Sequence, residues 1–183
     1  MSDIYQRLTA TRSERDGFDR HVFACIIAKG ASEAPRPLTE AVGLAADQLA
    51  RLQRQYFPGA DWLVAGLAGD AGADALEEPD LRRLLTDNAT LPGDPAAEWL
   101  AAMVARRSLQ PDHLWQDLGL STRADLSGLL QRHFGPLAAQ NVRDMKWKKF
   151  FYRQMCEDEG VSICKSPTCD TCADFALCFG PEE

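Results

Sequence analysis

The sequence predicts an all-α fold: a single helical domain with an irregular C-terminal cysteine-rich segment. Three observations carry that expectation. Apolar residues recur at helical spacing along most of the chain, and cap and stop residues bracket those stretches. No stretch shows the period-two alternation of a half-buried strand. The chain also has 183 residues, 45% of them hydrophobic, which suits one domain with its own core.

The first strong element covers residues 19–29 (DRHVFACIIAK). Val22, Phe23, Ile26 and Ile27 share one face, and Gly30 marks the end. Cys25 lies on that apolar face and is expected to pack in the core, while His21 carries no ligand signal. The A-P-R-P segment at 34–37 interrupts the chain. A short helix over 39–42 then leads through Gly43-Leu44 into a longer one over 47–57, stopped by Pro58-Gly59. Residues 66–80 (GLAGDAGADALEEPD) are rich in Ala, Gly and Asp, and the first part predicts a mobile loop.

Asp94-Pro95 pairs an N-cap acceptor with proline at the first helical position and starts a helix to about Leu109. Pro111-Asp112 opens a short helix, HLWQDL, that ends at Gly119. Ser121 is expected to cap the next one, through Leu126, Leu129, Leu130 and Phe134, closed by Gly135-Pro136. The last long helix is expected over 142–157, with Gly160 past its end. The chain thus divides into a helical domain over 1–160 and a cysteine-rich segment over 161–183. Val42-Gly43-Leu44 and its following helix echo Leu118-Gly119-Leu120 and its own. Shared turn chemistry explains that echo without a duplication.

Five of the six cysteines crowd into the C-terminal stretch: Cys156, Cys164, Cys169, Cys172 and Cys178. From Cys164 the run reads C-x4-C-x2-C-x5-C. Gaps this short let one loop bring several sulfurs to one centre. C-x4-C-x2-C matches plant-type ferredoxins in its first three positions, whereas structural zinc sites more often use two separated C-x2-C knuckles. Spacing therefore favours iron–sulfur over zinc, with thiol redox chemistry third. Cys156 is either a further ligand or a small buried side chain.

The formal net charge of -7 disfavours a nucleic-acid partner. The first residues lack a signal-peptide pattern, and no run reaches the roughly 20 apolar residues of a membrane span, so a cytoplasmic location away from membranes is expected. In that reducing compartment clustered thiols read as metal ligands or redox groups before disulfide partners. Just before the cluster, R-D-M-K-W-K-K-F-F-Y-R at 143–153 puts Trp147, Phe150 and Phe151 toward a core and Lys146, Lys149 and Arg153 on another face. Those cations are either a solvated side or an electrostatic feature that favours thiolates, guides an oxyanion or docks an acidic partner. His113 and His133 are candidate accessory ligands; a single histidine is more often an ordinary surface or core residue. No Ser/His/Asp set, phosphate-cradling glycine loop or HExxH pattern appears, which leaves hydrolase and nucleotide-dependent activities unsupported.

Three stretches together, HLWQDLGL at 113–120, NVRDMKWKKFFYRQMC at 141–156 and CKSPTCDTCADFALCFGPEE at 164–183, resemble the NifQ family of nitrogen-fixation proteins. The resemblance implies a non-enzymatic iron–sulfur carrier that takes molybdenum from molybdate or another donor. It implies delivery as an Mo–Fe–S species to nitrogenase iron–molybdenum cofactor assembly, with the nitrogenase iron protein and the assembly scaffold as partners. It makes Cys164, Cys169, Cys172 and Cys178 the cluster ligands. An electron-transfer iron–sulfur protein and a zinc-stapled helical regulator are the competing readings of the residues.

Overall fold

A computed structural model describes residues 2–73, 75–158 and 175–180, and everything below concerns those residues. They form eleven α-helices and one short 3-10 turn, with no strand among the described residues. Two apolar helices make the centre. α2 (Gly17–Ala31) buries an unbroken run from Val22 to Ala28, and α6 (Pro95–Ser108) buries nearly all of its length. A helix apolar on every side must be covered on every side. α2 is covered by α1 (Asp3–Thr9), α3 (Leu38–Val42) and α8 (Arg123–His133). α6 is covered by α3, α4 (Ala46–Tyr56), α5 (Glu78–Asp87), α7 (Leu114–Asp117) and α8. Phe23 of α2, Tyr56 of α4 and Trp99 of α6 meet in tilted and edge-on contacts with ring centroids 4.7–6.4 Å apart.

Caps explain the helix starts. Asp16 accepts from the Phe18 and Asp19 N–H groups to open α2, and Asp94 accepts from Ala96 N–H with Pro95 at the first position of α6. The cap of α8 is Thr122, not the expected Ser121. Its hydroxyl accepts from Asp125 N–H at 3.2 Å while the Asp125 carboxylate accepts from Thr122 N–H at 2.9 Å, a reciprocal pair that only this register allows.

The two echoed turns use one chemistry. Gly43 and Gly119 both hold left-handed φ angles, 72° and 71°. In each, the next leucine N–H reaches five residues back, Leu44 to Thr39 O at 3.1 Å and Leu120 to Trp115 O at 2.9 Å. Each turn sits on a central helix, Gly43 against Ala102 and Arg106 of α6 and Gly119 against Cys25 and Lys29 of α2. The absence of a Cβ permits that approach.

α5 begins at Glu78, after the part of 66–80 expected as a loop. The backbone of that part is engaged: Arg106 donates to Ala71 O at 2.8 Å and Gly72 O at 3.1 Å, and Gly69 O accepts from Ala46 N–H. Arg106 is fully buried and also bonds Glu78 Oε2 at 2.9 Å and Glu40 O. Its neighbour Arg107, 1% exposed, forks onto both Glu33 oxygens at 2.8 and 2.5 Å and donates to Asp117 O at 2.7 Å. These two buried arginines supply donors to backbone carbonyls of the 66–80 segment, α3 and α7.

The last long helix is shorter than expected. α10 spans Trp147–Asp158, and 141–145 is a closed turn instead of helix. Asn141 is the reason: its side chain accepts from Met145 N–H at 2.8 Å and donates to Met145 O at 2.9 Å, competing with helical bonds. Asp144 within that turn has φ 53°, a left-handed value, and Arg123 holds its carboxylate at 2.9 Å. A short helix α9 (Gly135–Ala138) precedes the turn. Part of the segment expected to be irregular is also helical: α11 (Phe175–Phe179) carries Cys178. Among the described residues, no helix is long and apolar enough to cross a membrane.

Candidate metal centre

The site is built on α10. Its first two turns are seated in the core through Trp147, Phe150 and Phe151, all buried as their spacing predicts, with ring centroids 5.9–6.3 Å apart. Trp147 Nε1 donates to Ser127 Oγ of α8 at 3.3 Å. Lys148 turns the other way, onto α7. Its ammonium donates to Gln110 O at 2.5 Å, Asp112 O at 2.6 Å and the buried Asp117 carboxylate. The base of α10 is thereby fixed from two sides. Beyond Phe151 the helix is less enclosed, with Tyr152, Met155 and Cys156 half-buried and Arg153 and Glu157 exposed.

Cys178 reaches this base. α11 docks at the start of α10, where Lys146 N–H donates to Cys178 O at 2.8 Å and Lys146 Nζ to Ala176 O at 3.4 Å. The Arg143 guanidinium lies 5.4 Å from the Phe179 ring centroid. Cys178 is half-buried and packs with Phe179 against the core. The carbonyl of a motif cysteine thus sits on an N–H at the positive end of a 12-residue helix, with Lys146 bonded to α11 and Arg143 over Phe179. That field favours a negative charge on a nearby sulfur.

Cys156 is placed otherwise. It lies ten positions beyond Lys146, about 15 Å of helix rise. It lines a cleft of about 270 Å³ with Leu76, Glu77, Asp80, Tyr152 and Met155, where α10 meets the start of α5. Tyr152 Oη is 3.4 Å from Glu77 Oε1, and burial followed by that carboxylate raises the phenol's pKa. Of the expected cationic face, Lys149 and Arg153 are exposed, Lys146 is half-buried, and Arg153 pairs with Glu157 at 2.6 Å. Cys164, Cys169 and Cys172 lie outside the described residues. Among the described residues, no three His, Cys, Asp or Glu side chains are arranged to hold a metal ion.

Each histidine has a defined contact in the helical domain. His133 is buried, with Nε2 3.0 Å from Asp19 Oδ1, and Arg132 reaches the same oxygen at 3.0 Å. It joins α8 to α2. His113 starts α7, and its backbone N–H donates to Gln116 Oε1 at 3.1 Å. His21 Nδ1 lies 2.9 Å from Tyr5 Oη. Cys25 beside it is 7% exposed, and burial pushes its thiol up to about 11, so it remains a protonated packing residue as expected. Sequence reasoning missed Lys148 and Asp117. Their signal was faint: a lysine between two core aromatics on the helix, and an aspartate among the leucines of HLWQDLGL.

Among the described residues these contacts define an all-helical fold in which α11, with Cys178, docks at the cationic start of α10. The chain belongs to the NifQ family, whose model matches residues 22–180. It is 41% identical over 170 residues to a NifQ homolog of Sinorhizobium fredii, covering 91% of this chain and 74% of that one. To the NifQ of Rhodobacter capsulatus it is 42% identical over 161 residues, covering 86% and 87%. With that of Azotobacter vinelandii it shares 47% over 106 residues, covering 58% and 54%. No solved structure matches the chain. Membership places the chain in the context of nitrogen fixation.

Proposed function

We propose that this protein is a carrier, not an enzyme: it holds an iron–sulfur centre on Cys164, Cys169, Cys172 and Cys178 and uses that centre to accept molybdenum. The cargo passes, as an Mo–Fe–S species, to assembly of the nitrogenase iron–molybdenum cofactor. The observation that carries this reading is the docking of Cys178 at the base of α10, which gives a short-gap thiol run a rigid, cationic footing. The donor set fits the group. Soft thiolates suit iron–sulfur clusters, and the cations Arg143, Lys146 and Lys149 offset the negative charge that such ligation accumulates. When bound, the cluster supplies sulfur-rich coordination in which a heterometal can be taken up and released.

The chain's own residues provide the frame. Lys146 N–H and Nζ hold α11, the packed aromatics of α10 keep that end rigid, and the less enclosed far half of α10 carries Cys156. Three motif cysteines are assigned to iron and the remaining motif position to molybdenum, while Cys156, about 15 Å of helix rise from the residue that holds Cys178, stands outside that set. The receiving partners are the nitrogenase iron protein and the cofactor-assembly scaffold, and the source is molybdate or another molybdenum donor.

The test is iron, sulfide, molybdenum and zinc content of protein isolated without oxygen, for the parent and for alanine substitutions at Cys156, Cys164, Cys169, Cys172 and Cys178. The expected parent contains iron and sulfide and gains molybdenum on exposure to a donor. A variant that keeps iron and loses molybdenum marks the acceptor position. Equal loss of both metals in every motif variant would remove the division of labour. Iron and sulfide with a reversible redox cycle and no molybdenum would make the protein an electron carrier, and a colourless zinc-loaded chain would overturn the iron–sulfur reading.

A further inference from the structure

Lys148 is spent on contacts that a solvated helix face would not need. All three ammonium protons have acceptors: Gln110 O at 2.5 Å, Asp112 O at 2.6 Å and the Asp117 carboxylate. The lysine side chain is 19% exposed and the aspartate 2%. Asp117 is itself held, because Arg107 donates to its carbonyl at 2.7 Å and forks onto Glu33. One polar line therefore runs from the end of α2, through α6 and α7, into the first turn of α10. That turn is the part of α10 to which α11 is tied.

Lys146 stands two residues before Lys148. Its C=O accepts from Phe150 N–H at 2.9 Å, so it is the first residue of the α10 hydrogen-bond ladder, and its own N–H holds Cys178 O at 2.8 Å. Rotating or sliding the first turn of α10 moves that N–H and the cysteine together. The buried aromatics Trp147, Phe150 and Phe151 set which face of α10 turns inward, and Trp147 Nε1 holds that face to Ser127 Oγ on α8; Lys148 adds a second restraint on the other side. The Lys148 contacts are directional, and the low local polarity strengthens them.

We propose that Lys148 and Asp117 form a positioning latch for the metal centre: their contact fixes the rotation of the first turn of α10 and so the place of Cys178. The pair touches no metal in this role and acts only through Lys146. The metal-loading consequence rests on the carrier reading above, whereas the latch itself is readable without metal.

The experiment compares the parent full-length chain with Lys148→Met and, as a stability control, Leu52→Ala, a fully buried side chain on α4. In metal-free protein, Lys148→Met is expected to lose hydrogen-exchange protection at the Lys146 amide and to speed alkylation of Cys178. After anaerobic loading with iron and sulfide, a chelator is expected to strip iron about tenfold faster from Lys148→Met than from the parent, the scale of losing an outer-shell partner. Leu52→Ala is expected to lower Tm while leaving all three readouts at parent values. Should Lys148→Met fail to fold, Asp117→Asn keeps the shape and an acceptor oxygen but removes the charge, and the same changes are expected from it. Parent-like protection, alkylation and iron release in the latch variants would overturn the proposal, as would equal changes in Leu52→Ala. A parent that binds no iron sinks the carrier reading, and the amide and alkylation measurements then still decide the latch.

Discussion

Replacing Arg107 with methionine should be among the most damaging single changes in this protein. Methionine fills most of the same volume, so the loss is polar. Asp117 O, at 2.7 Å, and Ala41 O, at 3.3 Å, lose their buried donor, and Glu33 loses a two-pronged partner. Each buried carbonyl left without a donor costs about 1–3 kcal/mol. Glu33 is a quarter exposed and can be rehydrated, so its share is smaller. The total is about 3–5 kcal/mol, the usual scale for breaking a buried ion pair from one side. Against a total stability of about 5–15 kcal/mol, that is a large fraction. Urea unfolding monitored by helical circular dichroism should show a lower midpoint with an unchanged slope. Arg107→Lys should recover less than half of the loss, because an ammonium cannot fork onto Glu33 while reaching Asp117 O.

The pH dependence gives an independent check. The Arg107 hydrogen bonds are the foremost cause holding the Glu33 carboxyl below its ordinary value of 4.5. A carboxyl depressed in the folded state contributes stability that is full above pH 4.5 and is lost as pH falls through the lowered value. Arg107→Met should therefore flatten the acid limb of the stability curve as well as lower the curve. A loss below about 1 kcal/mol, or full recovery by lysine, would refute the view that these hydrogen bonds hold α6 to its surroundings.

Gly119→Ala should lower Tm by roughly 4–8 °C, a loss of about 2 kcal/mol, measured by thermal melting. The added Cβ would occupy a left-handed φ of 71° and lie 2.9 Å from Cys25 O; an unchanged Tm would mean the turn can move off α2. Cys25 should resist iodoacetamide at pH 8 in folded, metal-free protein and react only on unfolding, since its thiol stands near 11. Mass-spectrometric mapping reads this directly, and labelling of Cys25 as fast as an exposed thiol would contradict its assignment to the core.

The helices that were legible in the sequence share a cause. α2, α4, α6 and α8 have long periodic apolar runs between local stop and start residues, and those signals act within a few residues. Asp94-Pro95 locates the start of α6 because both its cap acceptor and its fixed φ are local properties. α1 and α5 were missed: one is a single short stretch at the N-terminus, the other follows an Ala-Gly-Asp run that masks its start. The start of α10 was misplaced because 141–146 has helix-compatible composition, and only the closed Asn141 turn shows otherwise.

For the candidate metal centre, what the sequence by itself determined is the inventory of thiols and their spacing. Four thiols at C-x4-C-x2-C-x5-C, a fifth at Cys156 and a cationic stretch ahead of them are facts of spacing and residue type. The tertiary structure decided where Cys178 and Cys156 stand: one tied to the base of α10 by Lys146, the other about 15 Å further along in a cleft with Glu77 and Tyr152. It also decided which lysine is structural. Lys146, Lys148 and Lys149 are nearly alike in sequence, yet Lys148 alone of the three meets a buried carboxylate, on Asp117 of a different helix. Spacing along a chain fixes which groups share a face, whereas partners brought from distant elements are set by how the helices pack, and no local pattern records that.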